Sequence, residues 1–292
     1  MTTQNKYKLT GFLFVLPSFL YFLFVFLYPL LLCFMNAFCK VNFLLNTRAF
    51  VGFSNFKDLL SRDTMWQSTL ITLRFAGMSV PLLLLIDLYI ANSLSRLKNR
   101  GGAFLTTLSF IPFIVSMVSA GIVWDWLMDP NLGLINNILR TVGVSNPPLW
   151  LRAPQSALFS TLPITIWVRA PFGIMILLGG IQNVPVSLYE VADLDGVSQT
   201  RKFFRITLPL INPQLVMVLT LETIFAFRAF DQIYTSTGGG PAGATRTIMI
   251  YLIKDLFTNN YGLASALTVL LILALFVISL CQQIFLRRTV DY

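Results

Sequence analysis

The sequence predicts an all-α integral membrane protein with six transmembrane helices, and three observations carry that expectation. Hydrophobic residues make up 56% of the 292-residue chain and charged residues only 11%, whereas soluble domains carry about 25% charged residues. Mean hydropathy is +0.74. The apolar stretches run from end to end with no Pro/Ser-rich or charged linker, so a single transmembrane domain over residues 1–292 is expected.

A helix needs about 20 mostly apolar residues to cross about 30 Å of hydrocarbon. That rule places spans near 12–35, 69–94, 104–128, 156–180, 210–234 and 263–286. The first run, Leu9 to Cys39, is uncharged and longer than a signal-peptide core, and no small-residue cleavage pattern ends it. It is expected to remain as an anchor. Six spans put both termini on the same side. Lys6 and Lys8, then Arg96, Lys98 and Arg100, then Arg201, Lys202 and Arg205, and finally Arg287 and Arg288 crowd into compact segments. The positive-inside bias makes these segments and both termini cytoplasmic in a multi-pass protein of a bacterial-type inner membrane, with 39–68, 129–155 and 235–262 outside. Trp66, Trp124, Trp126 and Trp150 then fall near outer span ends, as interfacial anchors do.

Composition also excludes whole classes of chemistry. Histidine is absent and only 12 acids occur, so imidazole ligands and bases are ruled out and no metal site is expected. Cys33, Cys39 and Cys281 are too scattered for a disulfide framework or a zinc site and read as small membrane-core residues. The net charge of +9 does not point to nucleic acid, because the basic residues sit between apolar runs instead of on one face. No catalytic residue is expected. Gly-x-Ser-x-Gly and His-Glu-x-x-His are absent, and the two glutamates, Glu190 and Glu222, belong to a surface connection and a span. Gly238 to Gly243 is not followed by Gly-Lys-Ser/Thr and reads as a turn; with no such triplet anywhere, ATP would have to bind another chain. A six-span exchanger of the mitochondrial-carrier type would repeat Pro-x-Asp/Glu-x-x-Lys/Arg, and none of the 14 prolines is followed by that pattern.

Arg74, Asp87, Arg169, Glu222 and Arg228 lie inside predicted spans, where a central charge costs at least about 2.5–3.5 kcal/mol. They are expected to face a cavity or to pair. Arg169 and Glu222 fall near mid-span on adjacent segments and can pair; Arg228 and Asp231, three apart, can pair on one helix face. Arg74 can snorkel to the outer surface. Spans four and five, with Trp167, Arg169, Glu222, Arg228 and Asp231 among many Phe and Leu residues, offer both hydrogen-bonding and aromatic groups to a hydroxyl-rich solute. Two readings stay open for these residues, a solute route and structural pairing.

The longest inner connection, 181–209, predicts a helix, a sharp turn and a second short helix. Ser187 and Glu190 have capping-box spacing, which starts the first helix at about Leu188. Gly196 is placed to end it in a left-handed cap. Ser198 can cap the second helix, which carries Arg201, Lys202 and Arg205, and Pro209 stands where the next span begins. Leu188, Val191, Ala192 and Leu194 form a small apolar side beside Glu190, Asp193 and Asp195. Such an element suits either a groove on a cytoplasmic partner or a bed of lipid head groups.

Glu190-Val191-Ala192, three residues, Gly196, nine residues, then Ile206-x-Leu208-Pro209 resembles the EAA signature of permease subunits in binding-protein-dependent ABC importers. Val191, where that family usually has Ala, is the departure. Trp167-Val-Arg169-Ala-Pro171-Phe172, Phe230-Asp231-Gln-Ile-Tyr234 with Thr237 to Thr245, and Phe50-Val-Gly52-Phe-Ser-Asn55-Phe56 resemble the carbohydrate importers of that family, the class that takes up di- and oligosaccharides or glycerol phosphate. The resemblance covers nearly the whole chain and implies the type I importer permease fold. It further implies a second homologous permease, two cytoplasmic ABC ATPase subunits that hold ATP and Mg, an extracytoplasmic sugar-binding protein, and no cofactor on this chain. The 181–209 loop would be the coupling helix. A permease for a non-sugar solute and a six-span membrane-embedded enzyme are the alternatives.

Overall fold

A computed structural model describes residues 3–42, 47–97 and 100–287, with the side chains of residues 3–10, 42 and 100 outside that description. The basic residues Lys98 and Arg288, and the side chains of Lys6, Lys8 and Arg100, therefore lie outside the described parts. The chain comprises two compact units, one formed by 1–63 with 252–274, the other by 64–251 with 275–292.

In the first unit, α1 (Thr3–Phe22) passes through a π-helical turn, Leu23–Leu27, into α2 (Tyr28–Ala37). Phe14, Phe22 and Phe24 are all more than half exposed, as suits a helix whose surroundings are lipid. Strands β1 (Cys39–Asn42) and β2 (Thr47–Phe50) form an antiparallel hairpin, a small addition to the helical expectation. The hairpin is tied down by α3 (Ser54–Leu60), whose buried Asn55 donates from Nδ2 to the carbonyls of Ala37 at 2.9 Å and Cys39 at 3.0 Å. Phe38 packs its ring 5.3 Å from both Phe53 and Phe56. Gly52, at φ +56°, makes the turn that brings Phe53 there.

The second unit starts with α4 (Asp63–Ser95), a 33-residue helix. The apolar stretch predicted as a third span, 104–128, is not one helix. It breaks into α5 (Arg100–Ile114) and α6 (Met117–Leu127), bent by 95°. Pro112 weakens the end of α5, and Ser116 adopts extended backbone and accepts the Ser119 N–H at 3.1 Å, which starts a new helix. Next come the short α7 (Leu134–Thr141) and α8 (Pro154–Ser160). Asn136 fastens the connection between them: its amide donates to Pro130 and Pro148 carbonyls and accepts Trp150 Nε1–H at 2.6 Å. Ahead of α7, backbone N–H groups of Leu132 and Asn131 hold the Asp129 carboxyl below its ordinary carboxylate range.

The chain then forms α9 (Leu162–Gln182), α10 (Val186–Leu194), α11 (Gln199–Lys202), α12 (Leu208–Leu210), α13 (Asn212–Phe227), α14 (Asp231–Thr237), α15 (Ile248–Ile250) and α16 (Tyr261–Leu286). Among the described residues five helical segments are long and apolar enough to cross a membrane, and the bent pair makes up to six spans. Leu83, Ala91, Ile174, Leu177, Ile211 and Val218 form a buried apolar cluster joining α4, α9 and α13. At the α14 end, Gly238, Gly239 and Gly243 take positive φ, and Thr245, fully buried, donates to the Gly240 carbonyl at 2.7 Å. The glycine-rich segment is thus a hydrogen-bonded turn.

Candidate functional site

Two places in the second unit gather the residues that carry chemistry. The first is a cavity of about 300 Å³ among α4, α5, α6, α9, α13 and α14. It lies at both helix breaks: Phe113 and Met117 flank the 95° bend, and Arg228 to Gln232 span the gap between α13 and α14. Arg169 of α9 reaches Glu222 of α13 through two bonds, Nη2 to Oε1 at 2.7 Å and Nε to Oε2 at 3.3 Å. The side chains are 11% and 2% exposed, so this is a forked, desolvated pair of the kind Arg forms best. The guanidinium also lies 3.5 Å from the Phe225 ring centroid and 5.2 Å from that of Phe172.

Arg228 and Asp231 line the same cavity, but among the described residues no ion pair joins them. A three-residue spacing meets on one face only of a continuous helix, and here α13 ends at Phe227 while α14 begins at Asp231. Both side chains are exposed. Trp167 is not brought to the cavity: two residues from Arg169 is about 200° around α9, and its side lies elsewhere, 39% exposed. Sequence reasoning missed Ser79, Thr165 and Gln232 in the lining. Gln232 Nε2 donates to Thr165 Oγ1 at 3.2 Å, and Ser79 Oγ is buried without a partner. Hydroxyls and amides are common in helices, and spacing alone gave no signal for them.

The second place is the 181–209 helix-turn-helix. Helix α10 starts two residues earlier than its sequence suggests, with Pro185 at the N-cap and no side-chain cap. Ser187 falls inside the first turn, so the capping box with Glu190 does not form. At the other end Gly196 has φ +66°. The Val197 N–H bonds the Ala192 carbonyl at 2.9 Å and the Gly196 N–H that of Asp193 at 3.1 Å, the paired closure of a Schellman turn. Ser198 occupies the N-cap of α11 with extended backbone but makes no side-chain cap. After α11 a π-helical turn, Phe203–Thr207, leads to α12, and the next long helix begins at Asn212 with Pro213 in its first turn, beyond Pro209.

The apolar side of α10 divides in two. Ala192 is buried and Leu188 packs on the core, whereas Val191 is 59% and Leu194 90% exposed. Glu190, Asp193 and Asp195 accompany them at the surface, with Arg201 and Arg205 exposed across the turn. Ile206 packs on the core cluster, and Leu208 and Pro209 are half-buried. The sequence marked Lys202 only as one of the loop's basic residues, yet it is 3% exposed and ion-paired with Asp193. Tyr189 and Thr207 hydroxyls meet at 2.8 Å. These two contacts clamp the short helices into one body.

Comparison with known proteins identifies the family. Residues 75–291 match the family described as binding-protein-dependent transport system inner membrane component. The chain belongs to that family. Among curated relatives of this permease, the trehalose/maltose transport system permease protein MalF of Thermococcus litoralis is 36% identical over 92% of each chain. The sulfoquinovosyl glycerol transport system permease protein SmoG of Agrobacterium fabrum is 32% identical over 83% of this permease and 78% of the relative. The sn-glycerol-3-phosphate transport system permease protein UgpA of Yersinia pestis is 32% identical over 83% and 82%. The fold matches a chain of a bacterial ABC transporter involved in the import of the acidic polysaccharide alginate, with TM-score 0.85, 23% identity and 98% coverage of both chains. A second structure, of the alginate transporter with a periplasmic protein bound to alginate pentasaccharide, matches with TM-score 0.83, 22% identity and 95% and 94% coverage. Among the described residues no cluster suited to a metal ion occurs.

Proposed function

We propose that this permease carries a di- or oligosaccharide, or a glycerol-linked sugar or phosphate, through its half of an ATP-driven importer, and that it has no catalytic residue of its own. The cavity at the two helix breaks carries the proposal. A sugar stripped of water needs a partner for each hydroxyl and packs its C–H faces on aromatic rings. Arg228, Asp231, Gln232, Thr165 and Ser79 supply the first, and Phe75, Phe113, Phe225 and Phe230 the second. The names of the relatives support the same solute class.

The helix-turn-helix fits the coupling role. Leu194 and Val191 stand out from a clamped body between exposed acids on one helix and exposed arginines on the other, a shape that inserts into a groove of a partner. In this reading 181–209 docks on one of two cytoplasmic ATPase subunits, which bind ATP and Mg. A second permease completes the route, an extracytoplasmic binding protein delivers the solute, and both termini are cytoplasmic. Docking and release would rock the two permeases between outward and inward access. The test is uptake into proteoliposomes holding the whole complex, with labelled maltose, trehalose, longer glucans and glycerol phosphate offered with the binding protein and ATP. Uptake of at least one that needs both additions is expected; uptake of none, with amino acids or ions transported instead, overturns the solute class.

A further inference from the structure

Asp87 is a carboxyl with no visible reason to be where it is. It sits within α4, is 0% exposed, and neither oxygen has a hydrogen-bond partner. An isolated charge or an unmatched carboxyl in such a place is costly. The packing nevertheless makes room for it. A Cβ on Gly173 of α9 would overlap the Asp87 carboxyl, so the glycine is what lets α9 close over the acid.

The position relative to the cavity is regular. Ser79, Leu83 and Asp87 recur every four residues and share one face of α4; the first two line the cavity and Asp87 is the next turn beyond it. On α9, Arg169 lines the cavity and Gly173 is the next turn on the same face. One turn is about 5.4 Å, within the sweep of an Arg side chain. Asp87 is in electrostatic reach of both Arg169 and Glu222. The site therefore holds one guanidinium and two carboxyls, and only one carboxyl is bonded to it.

We propose that Asp87 is the second counter-ion of Arg169, and that the guanidinium exchanges Glu222 for Asp87 as the permease passes between its two access states. The proposal rests on the alternating-access reading above. The exchange gives each state one forked ion pair under the solute cavity, so neither state strands the arginine.

The test uses the assembled transporter without Cys33, Cys39 and Cys281, with Phe230→Cys as reporter in the cavity wall. The rate of labelling by an impermeant maleimide from outside is compared between nucleotide-free and ATP/vanadate-trapped complexes. Equal rates in the parent would defeat alternating access itself, and the proposal with it. Given unequal rates, Asp87→Asn and Glu222→Gln each remove the partner of one state, and the state ratio is expected to move in opposite directions by roughly tenfold or more. The double variant should return to within about threefold of the parent. A ratio unchanged by Asp87→Asn, or moved the same way by both single variants, overturns the exchange. Should Asp87→Asn fail to assemble, Glu222→Gln alone decides: with Asp87 as the remaining partner the ratio moves, and an unmoved ratio refutes the proposal.

Discussion

Replacing Gly196 isolates the contribution of the turn that closes the 181–209 helix-turn-helix. Its φ of +66° is left-handed, and a Cβ built there meets nothing within 4 Å. The cost of a side chain is therefore backbone strain alone, about 1–2 kcal/mol for an ordinary residue and more for a β-branched one. Asn tolerates this region best among the residues with a Cβ. A cost of 1–2 kcal/mol lowers the ratio of closed to open turn by roughly 5- to 30-fold, and opening undoes the two closing bonds at Val197 and Gly196. ATP-driven uptake at matched membrane levels should thus fall in the order Gly196→Asn, Gly196→Ala, Gly196→Val, with the last retaining a small fraction of parental uptake while inserting normally. ATPase activity stimulated by the binding protein should fall in the same order. Near-normal uptake for Gly196→Val, or Gly196→Asn as damaging as Gly196→Val, would refute the reasoning.

Other perturbations follow from the same geometry. Removing Arg169 leaves the buried Glu222 carboxylate without its partner, worth about 3–5 kcal/mol; Arg169→Leu should lower the melting temperature of the complex more than the Arg169→Leu/Glu222→Leu double variant, and a double variant worse than that single contradicts the pairing. Asn55→Leu removes two bonds to the Ala37 and Cys39 carbonyls and should cost about 2–3 kcal/mol, read as faster proteolysis of the 39–52 hairpin; an unchanged cleavage rate argues against that role. Lys202→Met leaves Asp193 at the surface without its partner and should loosen the two short helices, seen as faster amide exchange over 186–202. Single cysteines at Gly239 and Gln199, on a background without native cysteines, should label from opposite sides of intact cells; labelling of both from outside would defeat the inside-outside assignment.

The six apolar stretches and the Gly196 turn were legible in the sequence because each depends on local properties, hydropathy over about 20 residues and the single residue type that accepts a left-handed cap. The 95° bend was not, since an apolar run reads the same whether its backbone hydrogen bonds continue or stop at Ser116. The Ser187–Glu190 capping box failed because Pro185 starts the helix two residues early. Pairing of Arg228 with Asp231 assumed a helix that ends at Phe227. Asp193 and Lys202, nine apart, share no helical face; only the closure of the turn between them brings them together.

The two helix breaks around the cavity also bear on hydration. Within hydrocarbon, backbone that leaves the helix persists only where protein covers it or water reaches it. The last turn of α13 closes with Arg228 N–H on the Ile224 carbonyl and Ala229 N–H on that of Ala226, and the regular ladder stops where the chain departs at 228–230. A passage built at such breaks would draw water to its polar lining, and an entering solute would then trade one set of hydrogen bonds for another between the aromatic walls. The same wetness invites protons and small ions. Leak prevention then falls to the closed ends of the route, and a permease of this design is only as tight as whichever end is shut.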